Sequence, residues 1–209
     1  MSDRYELFLT CPKGLEGLLI EEAVGLGLEE AREHTSAVRG MATMETAYRL
    51  CLWSRLANRV LFVLKRFPMK DAEDLYHGVL DIEWQDHMLA DGTLAVEFSG
   101  HGSGIDNTHF GALKVKDAIV DKLRTPTGER PSIDKLNPDL RIHLRLDRGE
   151  AILSLDLSGL SLSTDGRSPD GVRSLSTIAS LTFKAPKWVL SIPEPWPLNS
   201  TARLPSDSM

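Results

Sequence analysis

Apolar and polar positions change their period several times within the first 160 residues of the chain. "YELFLTC" (5–11) is short, apolar and β-prone, and it stops at Pro12. "KGLEGLLIEEAVGLG" then sets Leu15, Leu18, Leu19, Ala23 and Leu26 at helical spacing, with Glu16, Glu21 and Glu22 on the wet side. Gly25 and Gly27 suit the C-terminal end of that helix. Ala31 to Thr35 and Val38 to Thr43 read as two short strands joined by a turn. "TAYRLCLWSRLANR" (46–59) reads as a second helix. Ala47, Leu50, Cys51 and Ser54 share one stripe, Tyr48, Leu52 and Leu56 widen it, and Arg55 and Arg59 read as a solvated helix face, with RNA contact as the alternative. "VLFVLKRF" (60–67) returns as a strand closed by Pro68. The order β-α-β-β-α-β predicts a ferredoxin-like domain over residues 1–69, two helices covering one face of a four-stranded sheet. Such a scaffold hosts many unrelated activities, so it does not specify one.

Beyond residue 70 the pattern restarts. "KDAEDLYHGVLDIEWQDHML" (70–89) gives two short helical pieces, with Leu75, Val79 and Leu80 facing inward and Trp84 anchoring the second. "TLAVEFSG" (93–100) is a strand, and "HFGALKVKDAIVDKL" (109–123) a helix with Ala112, Val115, Ile119 and Leu123 on its buried stripe. In "LRIHLRLDRGEAILSLDLSG" (140–159) strict alternation puts Leu140, Ile142, Leu144 and Leu146 on one face and Arg141, His143 and Arg145 on the other. Arg148 and Gly149 fit a two-residue hairpin turn. That turn sets Leu140 against Leu157, Ile142 against Leu155, Leu144 against Leu153 and Leu146 against Ala151, with His143 opposite Ser154. It also sets Arg141 opposite Asp156, a cross-strand ion pair worth under about 1 kcal/mol if exposed.

Composition narrows the class. The chain has 209 residues, 42% hydrophobic and 26% charged, which suits a globular protein with a core of useful size. Its net charge of −6 confines any nucleic-acid contact to a local patch. Cys11 and Cys51 are the only cysteines, have no C-x-x-C spacing and read as small buried hydrophobes. No leader pattern and no run of about 18 apolar residues occurs, so the cytoplasm is the expected compartment and no membrane contact is expected. Residues 161–209 contain six of the eleven prolines and ten serines, follow no usable period and read as an irregular tail.

Two stretches invite chemistry. Gly100, Gly102 and Gly104 follow an apolar run ending near Glu97, as in a cofactor loop of S-adenosylmethionine enzymes. "IDNTH" separates those glycines from the next helix, however, and no further βα units follow, so the stretch reads as a loop rather than a cofactor site. The six histidines show no metal spacing, His101 and His109 read as surface residues, and no nucleophile motif is present; no catalytic or metal site is expected. From Asn107 to Arg148 nine basic residues face six acidic ones, a positive region within a negative chain. Lys114, Lys116, Lys122, Arg124, Arg141, His143 and Arg145 lie there off the apolar stripe or face of their elements, and they are the candidate RNA-phosphate contacts.

"KGLEGLLIEE", "LCLWSRLANRV", "DLYHGVLDIEW", "FSGHGSGIDNTHFGALKVKDAIVD", "RPSIDKLNPDLRIHL" and "LDLSGLSL" follow one another as they do in one family. From about residue 5 to 162 the chain resembles the bacterial large-subunit rRNA guanine-N2 methyltransferases, often labelled N6-adenine-specific DNA methylases. The resemblance implies a ferredoxin-like domain, then a THUMP domain over 70–160 that binds ribosomal RNA and presents it to a separate methyltransferase domain. It also implies S-adenosylmethionine as cofactor of the full-length family, bound through D-P-x-x-G-S-G-T-like and N-P-P-Y-like loops that this chain lacks. Where the family has a basic H-R-R-G-Y-R-type stretch, this chain reads "STDGRSPDG", the kind of break a truncation or frameshift produces. The expected function is thus an RNA-targeting module, catalytically silent alone and holding no cofactor itself. The rival is a protein-interaction or small-ligand module on a ferredoxin-like scaffold.

Overall fold

The computed structural model describes residues 3–158 apart from 101–104, 106, 125–129 and 137. The tail expected over 161–209, and His101, Gly102 and Gly104, lie outside the described residues. The chain runs β1 (Tyr5–Thr10), α1 (Glu16–Gly25), β2 (Glu29–His34), β3 (Ala37–Ala42), α2 (Met44–Trp53) and β4 (Arg59–Pro68). It continues with α3 (Ala72–Leu80), a single 3-10 turn (Trp84–Asp86), β5 (Thr93–Ser99), α4 (Thr108–Leu123), β6 (Ser132–Ile133), β7 (Leu140–Asp147) and β8 (Glu150–Asp156). The fold is α+β, a βαββαβ unit followed by a second α/β module.

The two modules share one eight-stranded sheet, ordered β2-β3-β1-β4-β8-β7-β5-β6. The first four strands are the antiparallel ferredoxin-like half. β8 pairs antiparallel with β4 from Asp156 opposite Leu61 to Glu150 opposite Pro68, so backbone hydrogen bonds weld one module to the other. β5 runs parallel to both β7 and β6. The hairpin has the expected register, with Ile142 on Leu155, His143 on Ser154, Leu144 on Leu153 and Leu146 on Ala151. Arg148 (φ 51°) and Gly149 (φ 83°) both take the left-handed conformation that a two-residue turn between twisted strands requires.

One face of the sheet carries the main core. Leu7, Leu9, Val60, Phe62, Leu94, Ile142, Leu144, Leu153 and Leu155 pack there with Leu19, Leu50, Leu75, Val79, Val115 and Ile119 from the four helices. The opposite face carries a small cluster of Phe8, Ala37, Leu61 and Ile152, with Val63 against it, drawn from strands alone. Helix starts follow local chemistry: the side chains of Thr43, Asp71 and Asn107 accept hydrogen bonds from the first-turn N–H groups of α2, α3 and α4.

Several local expectations are corrected. α2 ends at Trp53 instead of running to residue 59, because the Glu22 carboxylate on α1 captures Ser54 Oγ–H (2.6 Å) and the backbone N–H groups of Arg55 (2.9 Å) and Leu56 (3.3 Å). Arg55 and Arg59 therefore leave the helix, and Arg59 opens β4. On α1, Leu18 points outward, whereas Glu16 is buried and accepts from Gly14 N–H (2.6 Å) and Ser36 N–H (2.9 Å). On α4, Gly111 and Ala118 join the buried stripe and Ala112 is only half-buried, since the Phe98 ring lies against Gly111. Cys11 is buried and Cys51 half-buried, both as free thiols, and burial pushes the Cys51 thiol up to about 12.

Candidate nucleic-acid interface

The sheet divides the seven basic candidates between its two sides. α4 packs on the main core through Val115, Ala118, Ile119 and Leu123, leaving Lys114, Lys116 and Lys122 on its flanks and Arg124 exposed at its C-terminal end. Arg141, His143 and Arg145 alternate with the buried Ile142 and Leu144, so they lie on the side of the sheet away from the helices. No continuous surface holds all seven.

Each lysine on α4 has a carboxylate neighbour. Lys114 Nζ lies 3.3 Å from Glu73 and 5.9 Å from the centre of the Tyr76 ring, whose hydroxyl donates to Asp121 (2.8 Å). Lys122 Nζ pairs with Glu83 at 3.1 Å and Lys116 with Asp117 at 3.4 Å. Partly exposed pairs of this kind hold the side chains by no more than about 1 kcal/mol, so a phosphate can replace the carboxylate. Arg124 and Lys122 also sit at the negative end of the helix dipole, which favours cations there.

The strand side is organised around Glu97. The Arg59 guanidinium donates to both Glu97 oxygens, at 2.5 and 3.4 Å, and Arg141 Nη1 donates at 3.3 Å. Asp156, buried, lies 3.8 Å from Arg59. The salt bridge found for Arg141 is therefore to Glu97 on β5, rather than the expected one to Asp156; the parallel register of β5 and β7 brings Glu97 beside His143 and within reach of Arg141. Burial raises the Glu97 carboxyl, but the hydrogen bond and charge of Arg59 outweigh that and hold it below its ordinary 4.5. Burial also depresses His143, opposed by Glu97 and reinforced by Arg59, so at pH 7 the imidazole is a neutral hydrogen-bonding group. Arg145 is half-buried, and its guanidinium has no hydrogen-bonded partner among the described residues.

Glu97, the acidic residue that drew attention beside the glycines, thus serves as a structural anion. Gly100 takes φ +98° against the backbone of Leu146, a packing role, and α4 begins only at Thr108 under the Asn107 cap. Arg59 is the cation of this cluster that periodicity placed on the wrong element. Among the described residues no group of three or more His, Cys, Asp or Glu side chains has a metal-binding arrangement, and no helix is long and apolar enough to cross a membrane.

The pKa shifts give stability a definite pH profile. His143 and His87 are both lowered from 6.5 by burial, so the unfolded chain takes up these protons first as pH falls. Their contribution is complete above about pH 6.5 and is lost below it; Glu6 and Glu97, also lowered, add a second loss below about 4.5. The melting temperature is expected to be level from pH 7 to 8 and to decline already between about 6.5 and 5, before carboxylates titrate. A thermal scan series that stays level down to pH 5 contradicts this.

Comparison with known proteins gives the class first. The RlmL ferredoxin-like domain matches residues 6–61 and the THUMP domain matches residues 69–156, so the chain joins these two domains in one sheet. Over 166 residues, 79% of the chain, it is 94% identical to "Ribosomal RNA large subunit methyltransferase K/L" of Pseudomonas fluorescens strain Pf-5. The chain thus carries a RlmL ferredoxin-like domain followed by a THUMP domain, and it is similar to the N-terminal region of these ribosomal RNA large-subunit methyltransferases. It spans only 22% of that relative's length. Among solved structures, SMU.472, assigned as a methyltransferase and complexed with SAH, is 26% identical with a TM-score of 0.61, over 75% of this chain and 42% of that one. A protein assigned as an N6-adenine-specific DNA methylase from Listeria monocytogenes shares the fold at 21% identity and a TM-score of 0.63, over 74% of this chain and 40% of that one.

Proposed function

We propose that the chain is an RNA-binding targeting module of an S-adenosylmethionine-dependent 23S rRNA guanine-N2 methyltransferase, catalytically silent without the remainder of the longer protein. The observation that carries this reading is the 94% identity to a relative named for methylation of large-subunit ribosomal RNA. In this reading the cofactor and the chemistry belong to the methyltransferase domain, which is the module's other partner, and the module acts in the cytoplasm.

The surface suits the task. A chain of net charge −6 gains no general attraction for RNA, so affinity must come from a few local cations. Lys114, Lys116, Lys122 and Arg124 on one side of the sheet, and Arg141 and Arg145 on the other with the neutral His143 between them as a hydrogen-bonding group, are the two available sets. Lys114, Lys116, Lys122 and Arg141 have partly exposed carboxylate partners that a phosphate can replace.

The separation of the two sets makes the test selective. Binding of a 23S rRNA hairpin is expected to weaken steeply with salt, with a log–log slope of about −0.7 to −0.9 per phosphate contacted. One of the two double variants, Lys114→Ala/Lys116→Ala or Arg141→Ala/Arg145→Ala, is expected to lower that slope by one to two units, marking the side that carries RNA. A folded parent protein that shows no salt-dependent binding removes the reading.

A further inference from the structure

The turn that ends α2 has the properties of a prebuilt ligand platform. Five consecutive backbone N–H groups are all committed within the protein: Ser54 to Leu50 O, Arg55 and Leu56 to the Glu22 carboxylate, Ala57 to Ser54 Oγ, and Asn58 to Thr10 O. The acceptors come from α1, α2, β1 and the turn itself, so the backbone of residues 54–58 is fixed from several sides.

Two side chains at this fixed turn are left exposed. Trp53 is 69% exposed, and its indole enters no ring contact or hydrogen bond among the described residues. Arg55 is exposed, and its guanidinium forms no hydrogen bond or salt bridge among the described residues, although its charge helps to hold the Glu22 carboxylate ionised. Arg39, Arg59, Arg66, Arg141, Lys65, Lys114 and Lys122, by contrast, all form salt bridges with carboxylates, whereas Arg145 shares the lack of one. Leu18, 54% exposed, sits one helical turn before Glu22 on α1.

An exposed indole two positions from an exposed guanidinium, at a turn whose backbone is fixed, is a combination suited to an unstacked nucleotide. The ring stacks on a base and the cation meets the adjoining phosphate. Pre-organisation matters because a mobile tryptophan gives up part of the stacking energy when it is ordered on binding. We propose that Trp53 and Arg55 form a stacking site for a flipped-out base of single-stranded RNA, on the ferredoxin-like half of the sheet. This rests on the RNA-binding reading above and adds to it a second contact, outside the basic stretch of residues 107–148, that selects open over paired RNA. The exposed positive charge of Arg55 favours RNA over an apolar protein surface as the occupant.

The test compares a 23S rRNA hairpin with an open loop and the same sequence closed into a duplex, titrated against the whole chain. Trp53→Ala is expected to raise the dissociation constant for the open loop about tenfold and to leave duplex binding unchanged, while Trp53→Phe keeps binding within about threefold of the parent. Arg55→Ala is expected to lower the salt slope by about 0.7, one phosphate on a single strand. Neither side chain supports the fold, so unchanged melting temperatures confirm that the comparison is sound. A parent that binds neither RNA defeats the RNA reading and this site with it. A parent that binds while all three variants match it defeats the stacking site alone and leaves the patch to a protein partner.

Discussion

A Trp84→Ala variant is expected to lose about 3–5 kcal/mol of unfolding free energy, the range for truncating a fully buried large aromatic. Trp84 has no exposed surface and sits in the main core, where its Nε1–H donates to Val79 O at 2.9 Å. That bond ties the 3-10 turn to the last turn of α3, and the ring meets His87 edge-on at 6.1 Å between centres. Truncation therefore opens a cavity and strips a side-chain donor from a carbonyl that has little water nearby. Urea unfolding followed by backbone circular dichroism measures the change. Trp53→Ala, at an exposed position, serves as the internal control and is expected to fall within about 0.5 kcal/mol of the parent. Equal losses at the two tryptophans contradict the burial assigned to Trp84.

Gly100→Ala is the second large effect. The residue has φ +98°, and a Cβ there would lie 2.5 Å from Leu146 O and 2.9 Å from Leu146 Cβ. Strained backbone and overlap with the rim of the hairpin act together, for an expected loss of about 2–4 kcal/mol. Gly149→Ala separates the two contributions: φ is +83°, but nothing lies within 4 Å of its added Cβ, so strain alone of about 1 kcal/mol remains. Chemical denaturation of both variants decides it. If Gly149→Ala costs as much as Gly100→Ala, contact with Leu146 is not what requires the glycine.

What the sequence showed and what it hid follow from the range of the interactions involved. The β7–β8 hairpin was legible because its register is set by adjacent residues, alternating side chains and a turn that demands positive φ at Arg148 and Gly149. The end of α2 was not, because its decisive group, Glu22, comes 32 residues before Ser54 and sits on another helix. Helical spacing continues through "SRLANR", and only the carboxylate overrides it. The same limit applies to the basic candidates. Alternation told that Arg141, His143 and Arg145 point away from the apolar face of their strand, and helical spacing told that Lys114 and Lys122 avoid the core. Neither periodicity tells which side of the sheet a helix will cover, so sequence leaves open whether the two sets share a surface, and in the fold the sheet stands between them. Arg59 and Glu97 meet across 38 residues of sequence, with no local pattern to announce it.

The weld between β4 and β8 also orders events during synthesis. β4 leaves the ribosome with β1 available on one side, but its other edge waits for β8, about eighty residues further along the chain. At roughly 5–20 residues per second that interval lasts about 4–16 seconds. Throughout it, a ten-residue strand carrying Val60, Leu61, Phe62 and Val63 displays unsatisfied N–H and C=O groups, a template for pairing with another nascent chain. Crowded polysomes, slow codons between residues 69 and 149, or a stop before β8 would all lengthen that exposure. Soluble yield is thus expected to fall as the arrival of the last strand is delayed.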